Sequence, residues 1–160
     1  AVGFTGQAEV ADIFLNDELP VPEFLRRLSE ALPPGIRPTA AEPVSRDLPS
    51  LQSQVTGAHY TVEVESGDNE DAFASRLAQF MARPNAWRDR RKGKDVSSYD
   101  LRPLVQSLAY RGETSYGHCF DVAMCAEPGA TGRPDELLAE LGYESAPRRI
   151  TRLALIFLQP

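Results

Sequence analysis

At 160 residues, 42% of them apolar, the chain is long enough to bury one sizeable core, and its net charge of −6 argues against a dedicated nucleic-acid binder, which is more often basic overall. No run approaches the ~20 apolar residues of a membrane span, and the N-terminus lacks the basic-then-apolar pattern of a signal peptide, so no membrane association and a cytoplasmic location are expected. Cys119 and Cys125 fall in one expected strand, on one face and too far apart to bridge, which predicts reduced thiols.

In chain order, residues 9–15 (EVADIFL) read as a strand and residues 16–20 as a turn. Pro22 then suits the first turn of a helix, where a missing N–H costs nothing, and Phe24, Leu25, Leu28, Ala31 and Leu32 recur at helical spacing. Pro33-Pro34-Gly35 ends that helix, and residues 36–44 read as a weaker strand that Pro38 confines to a sheet edge. Residues 45–57 resemble a linker with at most one helical turn, around residues 51–55.

The clearest strand follows, where Ala58, Tyr60, Val62 and Val64 alternate with His59, Thr61, Glu63 and Glu65. Asp68 or Asn69 can cap the next helix, whose stripe is Phe73, Leu77, Phe80 and Met81 and which Pro84 stops. Residues 86–90 are expected as a strand, 92–98 as a loop, and 104–110 as an extended run that turns at 111–113 into a strand over 116–125. In that strand His118, Phe120, Val122 and Met124 share one face. Pro134 opens a short helix with Leu137, Leu138 and Leu141 inward, and residues 150–158 close the chain as a strand.

The fold class predicted is α+β, with helices on one face of a mainly antiparallel sheet. From residue 58 onward the order is a ferredoxin-like β-α-β-β-α-β unit with an extra strand, and it is preceded by a partial second β-α-β unit. The domains expected are therefore residues 1–57 and 58–160.

Charge is concentrated. Arg83, Arg88, Arg90, Arg91, Lys92 and Lys94 face only one acidic residue within their stretch, Asp89. With Trp87 they form a candidate nucleic-acid site, because clustered cations release counterions and an aromatic ring stacks on a base. The bland alternative is a solvated hairpin whose charges keep an edge from aggregating, and it is the heavier of the two. Asp100 and Arg102 flank Leu101 in an Asp-Leu-Arg-Pro tetrad and, as a strand, would point the same way and pair. Arg133 before Pro134 is a candidate anion contact, weighed against the acidic Asp135 and Glu136 beside it. His59 and His118 lack the ligand spacing of a metal site, no iron–sulfur cysteine run is present, and no cofactor is expected.

The succession LPPGI (32–36), SLQSQVTGAHYTVEV (50–64), KGKDVSSYDLRPLV (92–105), GRPDELLAELG (132–142) and TRLAL (151–155) resembles the bacterial radical SAM-linked protein family. That family is a domain of unknown function encoded beside or fused to a radical SAM protein. The resemblance implies a radical SAM partner and an accessory role, binding RNA or positioning a substrate. The alternative is an RNA-processing or RNA-modifying enzyme using Asp100 and Arg102. Family members carry a basic segment ahead of the position of Gly3-Phe4, so the chain is expected to be a fragment. The strand at 9–15 would then leave an open sheet edge, through which a dimer could form by strand pairing.

Overall fold

The computed structural model describes residues 3–93 and 95–158. They separate into two compact units, one comprising residues up to Val10 and from Gln52 onward, the other Ala11–Leu51.

The larger unit begins with a two-residue strand β1 (Thr5–Gly6). The smaller unit holds one helix, α1 (Val21–Ala31), with Pro22 in its first turn. Glu23, Arg26, Arg27 and Glu30 form an ion-paired network on its solvent side, with N···O distances of 2.6 to 2.8 Å. None of the residues of α1 is buried.

After the short helix α2 (Leu51–Gln54) the larger unit runs β2 (Val55–Val64), α3 (Glu70–Ala82), β3 (Trp87–Lys92), β4 (Asp95–Asp100), β5 (Val105–Glu113), β6 (His118–Glu127), β7 (Ala130–Thr131), α4 (Pro134–Glu140) and β8 (Arg148–Phe157). The main sheet has the order β1-β8-β2-β6-β5, with β7 added to β6, and β3 and β4 form a separate two-stranded sheet. Among the long strands all pairings are antiparallel; β1 alone runs parallel, to β8. Without the β3–β4 hairpin the succession is β-α-β-β-α-β, with the helices crossing over one face.

Period-two alternation decides which face is covered. Ala58, Tyr60, Val62 and Val64 of β2 and His118, Phe120, Val122 and Met124 of β6 join Phe73, Leu77 and Phe80 of α3 and Leu137 and Leu138 of α4 in one core. Burying each of Phe73, Phe80 and Phe120 contributes roughly 1.5–3 kcal/mol. Asn69 caps α3 by accepting the Ala72 N–H at 2.9 Å. Gly117 turns β5 into β6 with φ of 149°, and a Cβ there would run into the Val64 carbonyl.

Several expectations are corrected. Residues 9–15 and 36–44 adopt no regular secondary structure and join no ladder, so the partial β-α-β unit is absent among the described residues. The first ladder ends at Gly6, with one further bond from the Gln7 N–H to the Arg152 carbonyl, and the Glu9 side chain lies over Gly6 and pairs with Arg152. In the second segment Pro38 and Pro43 remove the donors that a ladder needs. The open edge assigned to residues 9–15 therefore does not exist. A free edge lies instead on β5, which pairs with β6 alone and carries register shifts between Val105 and Ser107 and between Tyr110 and Gly112. Such bulges twist an edge away from a second chain.

The stretch expected as a loop over 92–98 is mostly strand β4, and of the extended run expected over 104–110 only Leu104 departs, closing a 3-10 turn (Arg102–Leu104) ahead of β5. The turn expected at 111–113 belongs to β5, and the reversal occurs beyond it, where the Thr114 N–H donates to the Gly117 carbonyl at 2.8 Å. No described helix is long and apolar enough to cross a membrane.

Candidate nucleic-acid interface

The β3–β4 hairpin is inserted between α3 and β5, and its two feet are clamped by one carboxylate. Asp100 Oδ1 accepts the Ala86 N–H at 2.7 Å and the Arg102 N–H at 3.0 Å, while the Leu101 N–H donates to the Ala86 carbonyl at 2.9 Å. Leu101 is completely buried and anchors the foot in the core. Arg102 does not pair with Asp100 as expected. Its guanidinium donates to the Met81 carbonyl at 2.9 and 3.2 Å and to the Val105 carbonyl at 2.9 Å. A cation there satisfies an orphan carbonyl at the C-terminal end of α3, where the helix dipole favours positive charge.

Ladder register sorts the hairpin residues onto two faces, since directly opposed residues share a face. Arg88 opposes Tyr99 and Arg90 opposes Ser97. On this inner face Arg88 reaches Glu140 at 3.1 Å, and Arg83, from the end of α3, takes the other oxygen of the same carboxylate at 2.7 Å. Arg90 reaches Glu136 at 3.2 Å and lies over the Tyr99 ring at 4.6 Å. Burial, reinforced by the Glu136 carboxylate, pushes the Tyr99 phenol up to about 12. The acidic face of α4 therefore neutralises the inner face of the hairpin. The sequence carried a signal for this in the i, i+4 pair Glu136 and Glu140, opposite the leucines of the same short helix, which the local charge count along 83–94 overlooked.

Trp87 opposes Asp100 and Asp89 opposes Ser98 on the outer face. Trp87 is 66% exposed and Val96 57% exposed. Asp89 is engaged by the Ser98 hydroxyl at 2.6 Å. Arg91 and Lys92 continue the ladder opposite Val96 and Asp95, and Gly93 turns the tip with φ of 65°, a conformation that suits a two-residue hairpin turn. Lys94 lies outside the described residues, as do the side chains of Arg91 and Lys92.

Arg133 precedes α4 and stands 3.8 Å from Asp135, which also holds Arg148 at 3.1 Å. Arg133 shares with Arg88 and Arg148 a shallow cleft of about 220 Å³, a proximity the sequence did not reveal. Asp135, Glu136 and Glu144 line the same cleft, so it is close to neutral and offers an anion no clear preference.

The remaining histidines and cysteines lie away from the hairpin, on β2 and β6. His118 is 1% exposed and stacks on Phe73 at 4.3 Å. Its Nε2 lies 2.9 Å from the Asp68 carbonyl, which can only accept, so Nε2 carries the proton and Nδ1 accepts from the Tyr110 hydroxyl at 2.8 Å. His59 is exposed on the uncovered face of the sheet. On that face Asp121 is held by Thr61 and by Arg111, each at 2.6 Å. Cys119 and Cys125 are free thiols, and burial together with Glu63 and Asp121 raises the Cys119 thiol above its ordinary range. Among the described residues no group of three or more His, Cys, Asp or Glu side chains is placed to hold a metal ion.

The family described as "Uncharacterized protein conserved in bacteria (DUF2344)" matches residues 1–134. No curated protein matches the chain. Among solved structures, a chain in "Crystal Structure of a Cbf5-Nop10-Gar1 Complex" is similar over 65% of this chain at 12% identity and a TM-score of 0.47. The match spans 32% of that chain's own length.

Proposed function

We propose that this chain, which belongs to the bacterial DUF2344 family, is a non-catalytic accessory module that binds RNA through the β3–β4 hairpin on behalf of a radical SAM partner protein. One observation carries the RNA part of this reading: a hairpin outside the main sheet presents an exposed tryptophan beside the densest basic stretch of an acidic chain. The combination suits a ligand that offers both negative charge and flat aromatic rings. The partner rests on the sequence resemblance, carried by the five ordered segments from LPPGI to TRLAL.

The competing enzymatic reading needs Asp100 as an acid or base with Arg102 orienting it. Both side chains are occupied by backbone groups and neither addresses the other. The accessory reading is favoured accordingly.

Labelled tRNA and rRNA fragments titrated with the purified chain at two salt concentrations test the proposal. Binding at low salt that weakens at higher salt, and that falls in an Arg91→Ala, Lys92→Ala, Lys94→Ala variant, supports it. Absence of binding at low salt removes the RNA role. Copurification of a radical SAM protein with the tagged chain tests the partner separately.

A further inference from the structure

We propose that the hairpin selects single-stranded RNA, with one unpaired base stacked on the Trp87 indole, and that duplex RNA is a poor ligand. The inference rests on the RNA reading given above and names the form of RNA that the site takes.

The first argument is electrostatic. Duplex RNA is recognised mostly through its phosphates, its 2′-hydroxyls and its shape, so its affinity depends on many cations facing one broad surface. Here the two hairpin cations with described side chains, Arg88 and Arg90, turn to the inner face and are held by Glu140 and Glu136. The chain as a whole carries −6, which repels a dense phosphate array. Beyond Arg88 and Arg90 the sequence places Arg91, Lys92 and Lys94 around the turn, a short basic run suited to a few phosphates.

The second argument concerns the indole. Trp87 is the single tryptophan of the chain and is two-thirds exposed, on the face that α4 leaves free. Its cross-strand partner Asp100 is fixed by the Ala86 and Arg102 amides. Stacking of an aromatic ring on a base is worth roughly 1–3 kcal/mol and is tolerant of sequence, but it requires a base that has left its own stack. A single strand supplies one at little cost; a duplex must first unpair. A polyanion suits the surface because Trp87 heads the densest basic stretch of the chain.

The lone tryptophan makes the test direct. An unstructured 10-nucleotide RNA and the duplex formed with its complement are titrated into the chain, with ligand anisotropy and Trp87 fluorescence read in parallel. The single strand is expected to quench the indole and to bind about tenfold more tightly than the duplex. Trp87→Ala should weaken single-strand binding about tenfold, leave duplex binding unchanged and leave the melting temperature unchanged, since the ring is exposed. Equal or tighter duplex binding overturns the proposal, and so does unaltered single-strand affinity in the variant. If anisotropy detects neither RNA at low salt, the RNA reading itself fails, and the exposed tryptophan is a protein contact.

Discussion

The carboxylate of Asp100 and the amide of Ala86, 14 residues apart, meet at 2.7 Å and close the base of the hairpin. The same oxygen accepts from Arg102, so one side chain satisfies two backbone donors at the point where α3, the hairpin and β5 converge. Asp100→Ala leaves both donors without this acceptor and should cost ~1–3 kcal/mol of stability, whereas Asp100→Asn keeps an acceptor oxygen and should cost less than ~1.5 kcal/mol. Urea unfolding measures both. An Asn variant that retains its stability yet loses RNA-dependent activity would return Asp100 to the catalytic role that its geometry disfavours.

His118 is bonded through both ring nitrogens inside the core, and it joins three parts of the fold: β6, the Tyr110 hydroxyl on β5 and the Asp68 carbonyl ahead of α3. His118→Leu fills a similar volume but leaves the carbonyl and the hydroxyl without this partner. A loss of ~2–4 kcal/mol is expected, against about 1 kcal/mol for Tyr110→Phe, which removes one side of the same contact. Equal, small losses in thermal melts of the two variants would show that water replaces the imidazole.

The covered half of this fold was legible because periodicity and burial are the same physics. The alternation in β2 and β6 and the stripe of α3 named the core residues, including the placing of His118 among Phe120, Val122 and Met124. What could not be read was whether an apolar, extended segment finds a neighbour. Residues 9–15 have the composition of a strand, yet Val10, Ile13 and Phe14 stay exposed because pairing is a non-local event that ends at Gly6. Residues 92–98 failed in the opposite direction: charged and serine-rich, they pair because the tight turn at Gly93 brings their partner alongside. In the candidate site, the cluster of cations was visible in the sequence. The carboxylates that hold half of it arrive from a helix some 45 residues later, at 3.1 and 3.2 Å.

Among the groups whose titration couples to stability are Asp68, Tyr143 and Tyr99. The Tyr143 hydroxyl donates to the Asp68 carboxylate, which, with help from Arg76, holds that carboxyl below its ordinary value. A depressed carboxyl pKa contributes stability that is complete above the ordinary value and is lost as pH falls through the folded one, so the effect appears only below about pH 4. Tyr143 itself is raised, first by burial, and Tyr99 is raised to about 12. For these phenols the unfolded chain ionises first, and stability falls as pH rises from about 10. Urea midpoints should therefore be level from pH 5 to 9 and decline on the alkaline side. The alkaline decline should become shallower in Tyr99→Phe; a decline of unchanged steepness would locate it elsewhere.

Glu136 and Glu140 hold the arginines of the inner face, which on the RNA reading would otherwise be open to phosphate. Glu140 holds Arg83 and Arg88, and Glu136 holds Arg90; the glutamates and Arg88 are half-buried while Arg83 and Arg90 are exposed, so each ion pair contributes at most about 1 kcal/mol. A Glu136→Gln, Glu140→Gln double variant should lose about that much stability per site while leaving the arginines without ionic partners. Of the three arginines released, the two on the hairpin, Arg88 and Arg90, become available to RNA that approaches it. Binding to a single strand should then tighten, and log K should fall more steeply with log salt by roughly 0.7 for each phosphate newly contacted, or about 1.4 when Arg88 and Arg90 both engage. An Arg88→Ala change added to the double variant should reverse half of that steepening. If the glutamine variant binds with the original slope, the ion pairs of α4 serve only to dock the hairpin on the domain, and RNA meets the outer face alone.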